Sequence, residues 1–384
     1  MRTSKRLCQL SLEKMSSPSI SVDSAIIHKA IRESNIELFR IFLMLMIISH
    51  HYVVNSGLTE LYNPHEITWN MIFLELFGWG GKTGINCFLL ITGYFMCQGR
   101  FTWRKFWKLV LELKFYILTI YAVFLLSGYE TFQFQMAYKK LFSITMEFGR
   151  GFGGTYVCLF LLIPYLNRLI SIFSKKEFER LLLILLSIQT VVSTFIYNSY
   201  YEYLLWYVTV YFVGSYIRLY PSRWMSNRLF INRMVAFSIV IIALSILVLT
   251  LSSFYVGRML PIYYFVSDSN KILAVLSSVS FFLFFLNLKL KPSKIINTIA
   301  SATFGILLIH TSGDTMRRFL WRDTFHNVDW YDSPYLVIHS VLVVLSVYIV
   351  CAIIDLVRIR YIERSLFSYF DKFKDRIKIN SILS

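Results

Sequence analysis

The sequence predicts an all-α integral membrane protein, a bundle of about ten transmembrane helices with both termini in the cytoplasm. Of its 384 residues, 56% are hydrophobic and only 16% are charged, whereas a typical soluble domain has about 25% charged residues. The mean hydropathy is +0.57. The net charge of +17 would suggest nucleic-acid binding if it lay on one polar domain. No such domain is visible, so we expect no nucleic-acid partner.

Ten apolar runs approach the length of about 20 residues that a helix needs to cross a bilayer. They lie near residues 36–54, 79–97, 106–127, 152–172, 180–197, 202–220, 233–255, 272–290, 297–312 and 335–357. The second run is interrupted by Lys82 and Asn86, and the ninth is short. No internal repeat is visible, which disfavours a transporter built from inverted repeats.

The charges of the connecting loops predict the orientation. Of the 39 Lys and Arg residues, 29 lie in the two terminal segments and in every second loop, against eight in the alternate loops. Because cytoplasmic loops are enriched in Lys and Arg, both termini are predicted to be cytoplasmic. We expect residues 1–34 to form a poorly ordered basic tail, 35–357 the transmembrane domain and 358–384 a second basic tail. The sequence leaves open whether Met1 or Met15 is the start.

The first apolar run carries a polar pattern that membrane helices rarely contain. Arg40 and His51 are eleven residues apart, which on a helix places them within about 20° on one face and about 16 Å apart along the axis. Glu37 lies one turn before Arg40 and is positioned to pair with it. Glu37 and Arg40 are either an interfacial anchor pair, with the histidines among lipid headgroups, or a binding site for an anionic group. In the second case His51 performs acid–base chemistry deeper in the membrane.

The second apolar run places Lys82 and Asn86 on one helical face, and Gly93 continues that face. The small residues around them allow close approach either of a neighbouring helix or of a substrate.

These two runs together resemble membrane-bound acyltransferase family 3, and more specifically its bacterial branch that O-acetylates surface polysaccharides. The resemblance rests on Asn35-x-Glu37-x-x-Arg40, ten further residues and His51, followed by Gly81-Lys82-x-Gly84-x-Asn86 and Gly93-Tyr94-Phe95. It extends over about residues 35–357. It departs from the family where a proline usual near the basic cluster is missing and Glu112 is present.

The resemblance implies that an acyl group, usually acetyl, moves from cytoplasmic acyl-CoA to a hydroxyl of a surface or lipid-linked glycan at the bacterial cell membrane. It implies that the polyanionic CoA headgroup binds to Arg40 together with a basic cluster formed by Arg104, Lys105 and Lys108. His51 is then a general base or a transient acyl carrier, and Glu37 positions Arg40 or the surroundings of the imidazole. The expected donor is acetyl-CoA or another acyl-CoA.

Three further residues are candidates for the oxyanion or the acceptor side. Lys82 or Asn86 would stabilise the oxyanion of a tetrahedral intermediate. His310 either faces the acceptor or is an ordinary histidine at the membrane boundary. The remaining histidines have no metal-ligand spacing, so no metal is expected. The charged segment 314–332, with Trp321 and Trp330, is either a solvated face or a sugar-binding rim.

The main alternative is a transporter or flippase of a lipid-linked sugar, which transfers no group. Such a protein would spread its intramembrane charges over several helices, whereas this sequence concentrates its polar residues on the first two runs. A labelled acetyl-CoA assay separates these functions.

Overall fold

The computed structural model describes residues 33–146, 151–196 and 202–368. In these ranges the chain is helical and contains no β-strand, which confirms the all-α class. The α-helices are α1 (Ser34–Val54), α2 (Trp69–Gly78), α3 (Gly81–Met96), α4 (Trp103–Leu126), α5 (Phe134–Leu141), α6 (Ser143–Met146), α7 (Phe152–Ile172), α8 (Lys175–Leu186), α9 (Ser193–Phe195), α10 (Tyr203–Leu219), α11 (Arg228–Val256), α12 (Ile272–Leu286), α13 (Lys294–Ser301), α14 (Thr303–His310), α15 (Asp314–Arg317) and α16 (Leu336–Val357). The predicted tails lie mostly outside the described residues and remain predictions.

Six helices in the described ranges are long and apolar enough to cross a membrane. They are α1, α4, α7, α8 continued through α9 (Lys175–Phe195), α11, and α16 with its extension (Leu336–Ser368). The bent pair Lys294–His310 and Asp314–Thr324 would add a seventh. The predicted count of ten is not confirmed, because α3, α10 and α12 have only 16, 17 and 15 residues. The orientation of the bundle remains a prediction.

Helix α1 lies at the centre of the bundle and contacts α2, α3, α12, α13, α14 and α16. Its first half contributes Phe39 and Leu43 to one hydrophobic core, and its second half contributes Met44 and Ile47 to another. Neighbours on nearly every side explain why this helix, although apolar, accommodates polar side chains: they face protein and cavities rather than lipid.

The beginning of α1 is fixed by its first two residues. The Asn35 amide donates to the carbonyl oxygens of Phe285 and Leu286, at 3.0 and 3.2 Å. The Ser34 hydroxyl donates to Asn297 Oδ1 at 2.9 Å and accepts from the Ser293 amide at 2.8 Å. The asparagine of the sequence motif therefore sets the position of the helix and, with it, the depth of Arg40 and His51.

The break after α14 depends on glycine. Gly313 has φ +93°, a conformation that L-residues with a side chain rarely adopt. The chain bends there by 100°, so that α14 ends at His310 inside the bundle. The bend therefore places a histidine at a buried helix end.

Candidate active site

A cavity of about 250 Å³ lies beside the first half of α1, between α3, α4, α7 and α14. Its polar lining consists of Arg40, Thr92, Lys105, Lys108, Glu112, Tyr156 and Thr303. The rest of the lining is apolar, with Phe88, Phe152 and Phe304 among it. We call it the basic cavity, because it gathers three cationic side chains against a single carboxylate.

Arg40 reaches the basic cavity from α1 with Glu37 one turn earlier, as the spacing predicts. Its Nη1 lies 3.6 Å from Glu37 Oε1. The Glu37 side chain is buried, while that of Arg40 is 33% exposed. Arg40 Nε is buried and has no hydrogen-bond partner among the described residues. Because buried donors are normally satisfied, this N–H retains the capacity to donate to an anionic group.

His51 and His310 meet near the ends of α1 and α14, and we call them the histidine pair. His51 Nδ1 lies 3.1 Å from His310 Nε2, and His310 Nδ1 lies 2.6 Å from the carbonyl oxygen of Ile306. His310 is 1% exposed. The two histidines are separated by 259 positions, and no pattern in the sequence indicated that they meet.

His50 points away from the histidine pair. Its Nδ1 donates to the carbonyl oxygen of Gly78 at 2.5 Å. A Cβ atom at Gly81 would lie 2.4 Å from ring carbons of His50, so glycine is required where α3 begins. Part of the glycine-rich run thus serves the packing of His50 at the junction of α2 and α3.

Lys82 and Asn86 share a face of α3, as predicted, and that face meets the loop before α12. Lys82 Nζ lies 3.8 Å from Asp268 Oδ1. The Asn86 amide donates to the Ser269 carbonyl at 2.6 Å, and its oxygen accepts from Trp206 Nε1 at 2.9 Å. Both the nitrogen and the oxygen of the Asn86 side-chain amide therefore form hydrogen bonds that hold neighbouring elements together. A part for Lys82 or Asn86 in oxyanion stabilisation remains a prediction.

Gly93 on the same helix serves close helix packing. A Cβ atom there would lie 2.3 Å from the carbonyl oxygen of Tyr211 on α10. A larger residue would push the two helices apart, so at this position the packing explanation accounts for the glycine.

Three of the four predicted phosphate-binding cations meet at the basic cavity. Arg40, Lys105 and Lys108 line it, and Lys108 Nζ also lies 2.6 Å from Glu363. Arg104 does not line the cavity; its guanidinium lies 5.3 Å from the ring centroid of Phe367. The structure therefore brings Arg40 close to Lys105 and Lys108 but leaves Arg104 outside the cavity lining.

A group of ionisable side chains, distant from one another in the sequence, lies against the basic cavity and contributes Lys108 and Glu112 to its lining. We call it the ionic cluster: Lys108, Glu112, Asp355, Arg358 and Glu363. Arg358 donates to Asp355 at 2.7 Å, to Glu112 at 2.7 Å and to Glu363 at 3.0 Å. Charged side chains therefore also occur together outside the first two apolar runs, which removes their concentration there as an argument against a transporter.

The sequence predicts that Trp321 belongs to a solvated face or a sugar-binding rim, and for this residue the prediction is wrong. Trp321 is fully buried, and its ring packs edge-on against Tyr52 of α1 at 6.3 Å between centroids. Trp330 stacks on His339 at 4.5 Å and remains partly exposed. A pocket of about 290 Å³ lies nearby, with Glu60, Arg322, His326 and Asp329 in its lining.

A larger cavity of about 740 Å³ lies along α4 and α16 and is mostly apolar. Ile309, next to His310, is part of its lining, as are Phe124 and Phe319. We call it the apolar groove. In the described ranges no group of three or more His, Cys, Asp or Glu side chains is arranged to hold a metal ion.

Apolar helices of spanning length and a cationic cavity beside a central helix define a multi-pass membrane protein. The acyltransferase domain of acyltransferase family 3 matches residues 33–356. The match covers most of the chain, so the chain belongs to this family, and the resemblance seen in the sequence is confirmed at that level. No curated protein and no solved structure matches the chain. The polysaccharide O-acetylating branch remains a prediction.

Proposed function

We propose that this membrane acyltransferase moves an acyl group, in particular acetyl, from cytoplasmic acyl-CoA to a hydroxyl of a surface or lipid-linked glycan in the bacterial cell membrane. The observation that carries the proposal is the placement of Arg40 in the basic cavity with His51 about 16 Å further along the same helical face. Arg40 binds the donor and His51 acts on the acceptor.

The lining of the basic cavity suits the headgroup of acyl-CoA. Arg40, Lys105 and Lys108 supply cations for its phosphates. Arg40 Nε, which has no hydrogen-bond partner among the described residues, offers a further donor. Charge-assisted hydrogen bonds to phosphate are among the stronger polar contacts in proteins. The apolar part of the lining, which reaches Met44 and Leu307, suits the thin and largely uncharged pantetheine arm.

His51 acts where the thioester and the acceptor hydroxyl meet. As a general base it removes the hydroxyl proton while the oxygen attacks the thioester carbonyl, a role that contributes about 10²–10⁴-fold in rate. Transient acylation of the imidazole is the alternative route through the same residue. The glycan approaches from the end of α1 that carries His51, and a lipid carrier would lie along the apolar groove beside Ile309.

The test uses membranes that contain the protein and acetyl-CoA labelled in its acetyl group. We expect label in membrane-associated glycan and its release as acetate by mild alkali, because an O-acetyl ester is alkali-labile. His51→Ala should reduce incorporation at least about 10²-fold with unchanged insertion. His65→Gln, at an exposed loop histidine, is the matched control. Full incorporation by His51→Ala would exclude the mechanism.

The transporter alternative has a separate outcome in the same experiment. Export of a lipid-linked sugar without incorporation of label would support transport. The ionic cluster does not favour it, because Arg358 is enclosed by three carboxylates and so offers no open charge along a pathway. Loss of O-acetyl signals from surface polysaccharide of a deletion strain, seen by NMR, would support the acyltransferase.

A further inference from the structure

We infer that His310 is a positioning residue that holds the proton of His51 on Nδ1 and thereby makes His51 Nε2 the reacting nitrogen. The inference rests on the proposed acyl transfer and specifies how its base is oriented. It assigns His310 a role toward His51 rather than toward the acceptor.

His310 donates a hydrogen bond from its ring to the backbone of its own helix. A backbone carbonyl oxygen only accepts hydrogen bonds. His310 Nδ1 lies 2.6 Å from the Ile306 carbonyl oxygen, so Nδ1 carries the proton and donates it. A neutral imidazole has one N–H, and His310 Nε2 must therefore be the unprotonated acceptor.

The tautomer of His310 in turn fixes the tautomer of His51 on α1. His310 Nε2 lies 3.1 Å from His51 Nδ1, and two unprotonated nitrogens at that distance would repel each other. His51 Nδ1 therefore carries the proton and donates to His310. The remaining nitrogen, His51 Nε2, keeps its lone pair. A short chain of bonds thus leads from a fixed backbone carbonyl to the nitrogen that can accept a proton.

This pair of tautomers holds when both rings are neutral, and the surroundings of the rings favour their neutral forms. His310 is almost fully buried, and burial of an unpaired charge is costly. In the part of the chain that the structure describes, no carboxylate forms an ion pair with either ring of the histidine pair. A second positive charge at 3.1 Å would also be unfavourable.

The proposed step balances with this tautomer. The acceptor hydroxyl proton moves to His51 Nε2 while the hydroxyl oxygen bonds to the thioester carbonyl carbon. The His51 imidazolium keeps its Nδ1–H bond to His310, which stabilises the charge. The carbon–sulfur bond then breaks, and the Nε2 proton passes to the departing thiolate to give the free thiol and the ester. In a serine-protease triad, an incorrect tautomer of the base lowers kcat about 10⁴-fold.

Two substitutions of similar size separate positioning from packing. In His310→Gln the side-chain carbonyl can accept from His51 Nδ1, whereas in His310→Leu nothing can. With acetyl-CoA as the varied substrate, we expect His310→Leu to lower kcat at least about 10²-fold and His310→Gln less than about 10-fold. The KM for acetyl-CoA should stay within about twofold in both, because His310 does not line the basic cavity. Equal losses in both variants, or no loss in His310→Leu, would overturn the inference.

A second measurement needs no substitution of His310. Nitrogen-15 solid-state NMR of the full chain in lipid, labelled at histidine, reports which ring nitrogen carries the proton. The signals of His51 are assigned by their loss in His51→Gln. We expect a protonated Nδ1 and an unprotonated Nε2 on His51, and the opposite tautomer would overturn the inference. If wild-type membranes transfer no acetyl group, the proposed function fails, while the NMR result still decides the tautomer.

Discussion

The ionic cluster and the polar face of α1 (Glu37, Arg40 and His51) are built from similar side chains but use them differently. Each region has an arginine beside an acidic residue. In the ionic cluster all three guanidinium nitrogens of Arg358 have carboxylate partners at 2.7–3.0 Å. Arg40 has a single carboxylate at 3.6 Å and a buried Nε without a partner in the described ranges.

This difference separates a structural site from a binding site better than burial does. A charge whose hydrogen-bonding groups are all satisfied by protein has nothing left to offer a ligand and is costly to disturb. A charge that keeps unsatisfied groups next to a cavity can bind. The same reasoning applies to the histidine pair, in which the bonds to His310 leave one nitrogen of His51 available. We therefore expect Arg358 and its carboxylates to determine stability, whereas the polar face of α1 and Lys108, which lines the basic cavity, determine activity.

The largest effect on stability is expected from Arg358→Met. The substitution leaves Glu112 and Asp355 buried without their cation, which should lower the free energy of unfolding by about 3–5 kcal/mol. Unfolding titrations in mixed detergent micelles measure this value. His51→Gln, by contrast, should change it by less than about 1 kcal/mol.

The control for that substitution is Arg360→Met, two residues further on and exposed. It should change the free energy of unfolding by no more than about 0.5 kcal/mol. Adding Glu112→Gln and Asp355→Asn to Arg358→Met should restore part of the loss, because no buried charge then lacks a partner. A stable Arg358→Met variant would remove the distinction between the two regions.

The fold class and the polar face of α1 could be predicted because both depend on local periodicity. Apolar runs of about 20 residues indicate membrane helices, and helical spacing alone predicts the Glu37–Arg40 pair that the structure contains. The number of spans was less predictable, because an apolar run does not fix where a helix begins and ends. In α3, α10 and α12 the helices are shorter than the runs.

The contacts that complete the candidate site join residues far apart in the chain. No local pattern in a single sequence shows which of these residues meet. Glu112 and Arg358 are 246 positions apart, and the histidine pair is separated still further. A weak signal for the ionic cluster was present: Glu112 interrupts an apolar run, and Asp355 and Arg358 are spaced i, i+3 at the end of another. No comparable signal paired His310 with His51, although the sequence offered each histidine separately as a candidate.

The second expected effect sharpens the contrast between the two arginines. Arg40→Gln should raise the KM for acetyl-CoA about 10–100-fold, since a hydrogen bond to a charged group contributes about 1.5–3 kcal/mol. The free energy of unfolding should change little, because Arg40 is partly exposed and has one distant carboxylate. Steady-state kinetics with labelled acetyl-CoA measure the KM.

Arg168→Gln is the matched control for Arg40→Gln, because Arg168 is exposed on α7 and does not line the basic cavity. It should leave KM unchanged. If Arg40→Gln instead loses much stability at constant KM, Arg40 has a structural role like that of Arg358, and the contrast between the two regions fails.

The smallest expected effect tests the helix that connects the two regions. Gly305 on α14 lies against the ionic cluster, and a Cβ atom there would be 2.1 Å from Asp355 Cγ. Gly305→Ala should therefore push α14 away from α16 and lower the free energy of unfolding by about 1–3 kcal/mol. Because His310 ends the same helix, acetyl transfer should fall as well. Ser301→Ala, at a hydroxyl that donates to the Thr298 carbonyl of its own helix, should alter neither. Reduced transfer without reduced stability would mean that α14 positions His310 independently of the ionic cluster.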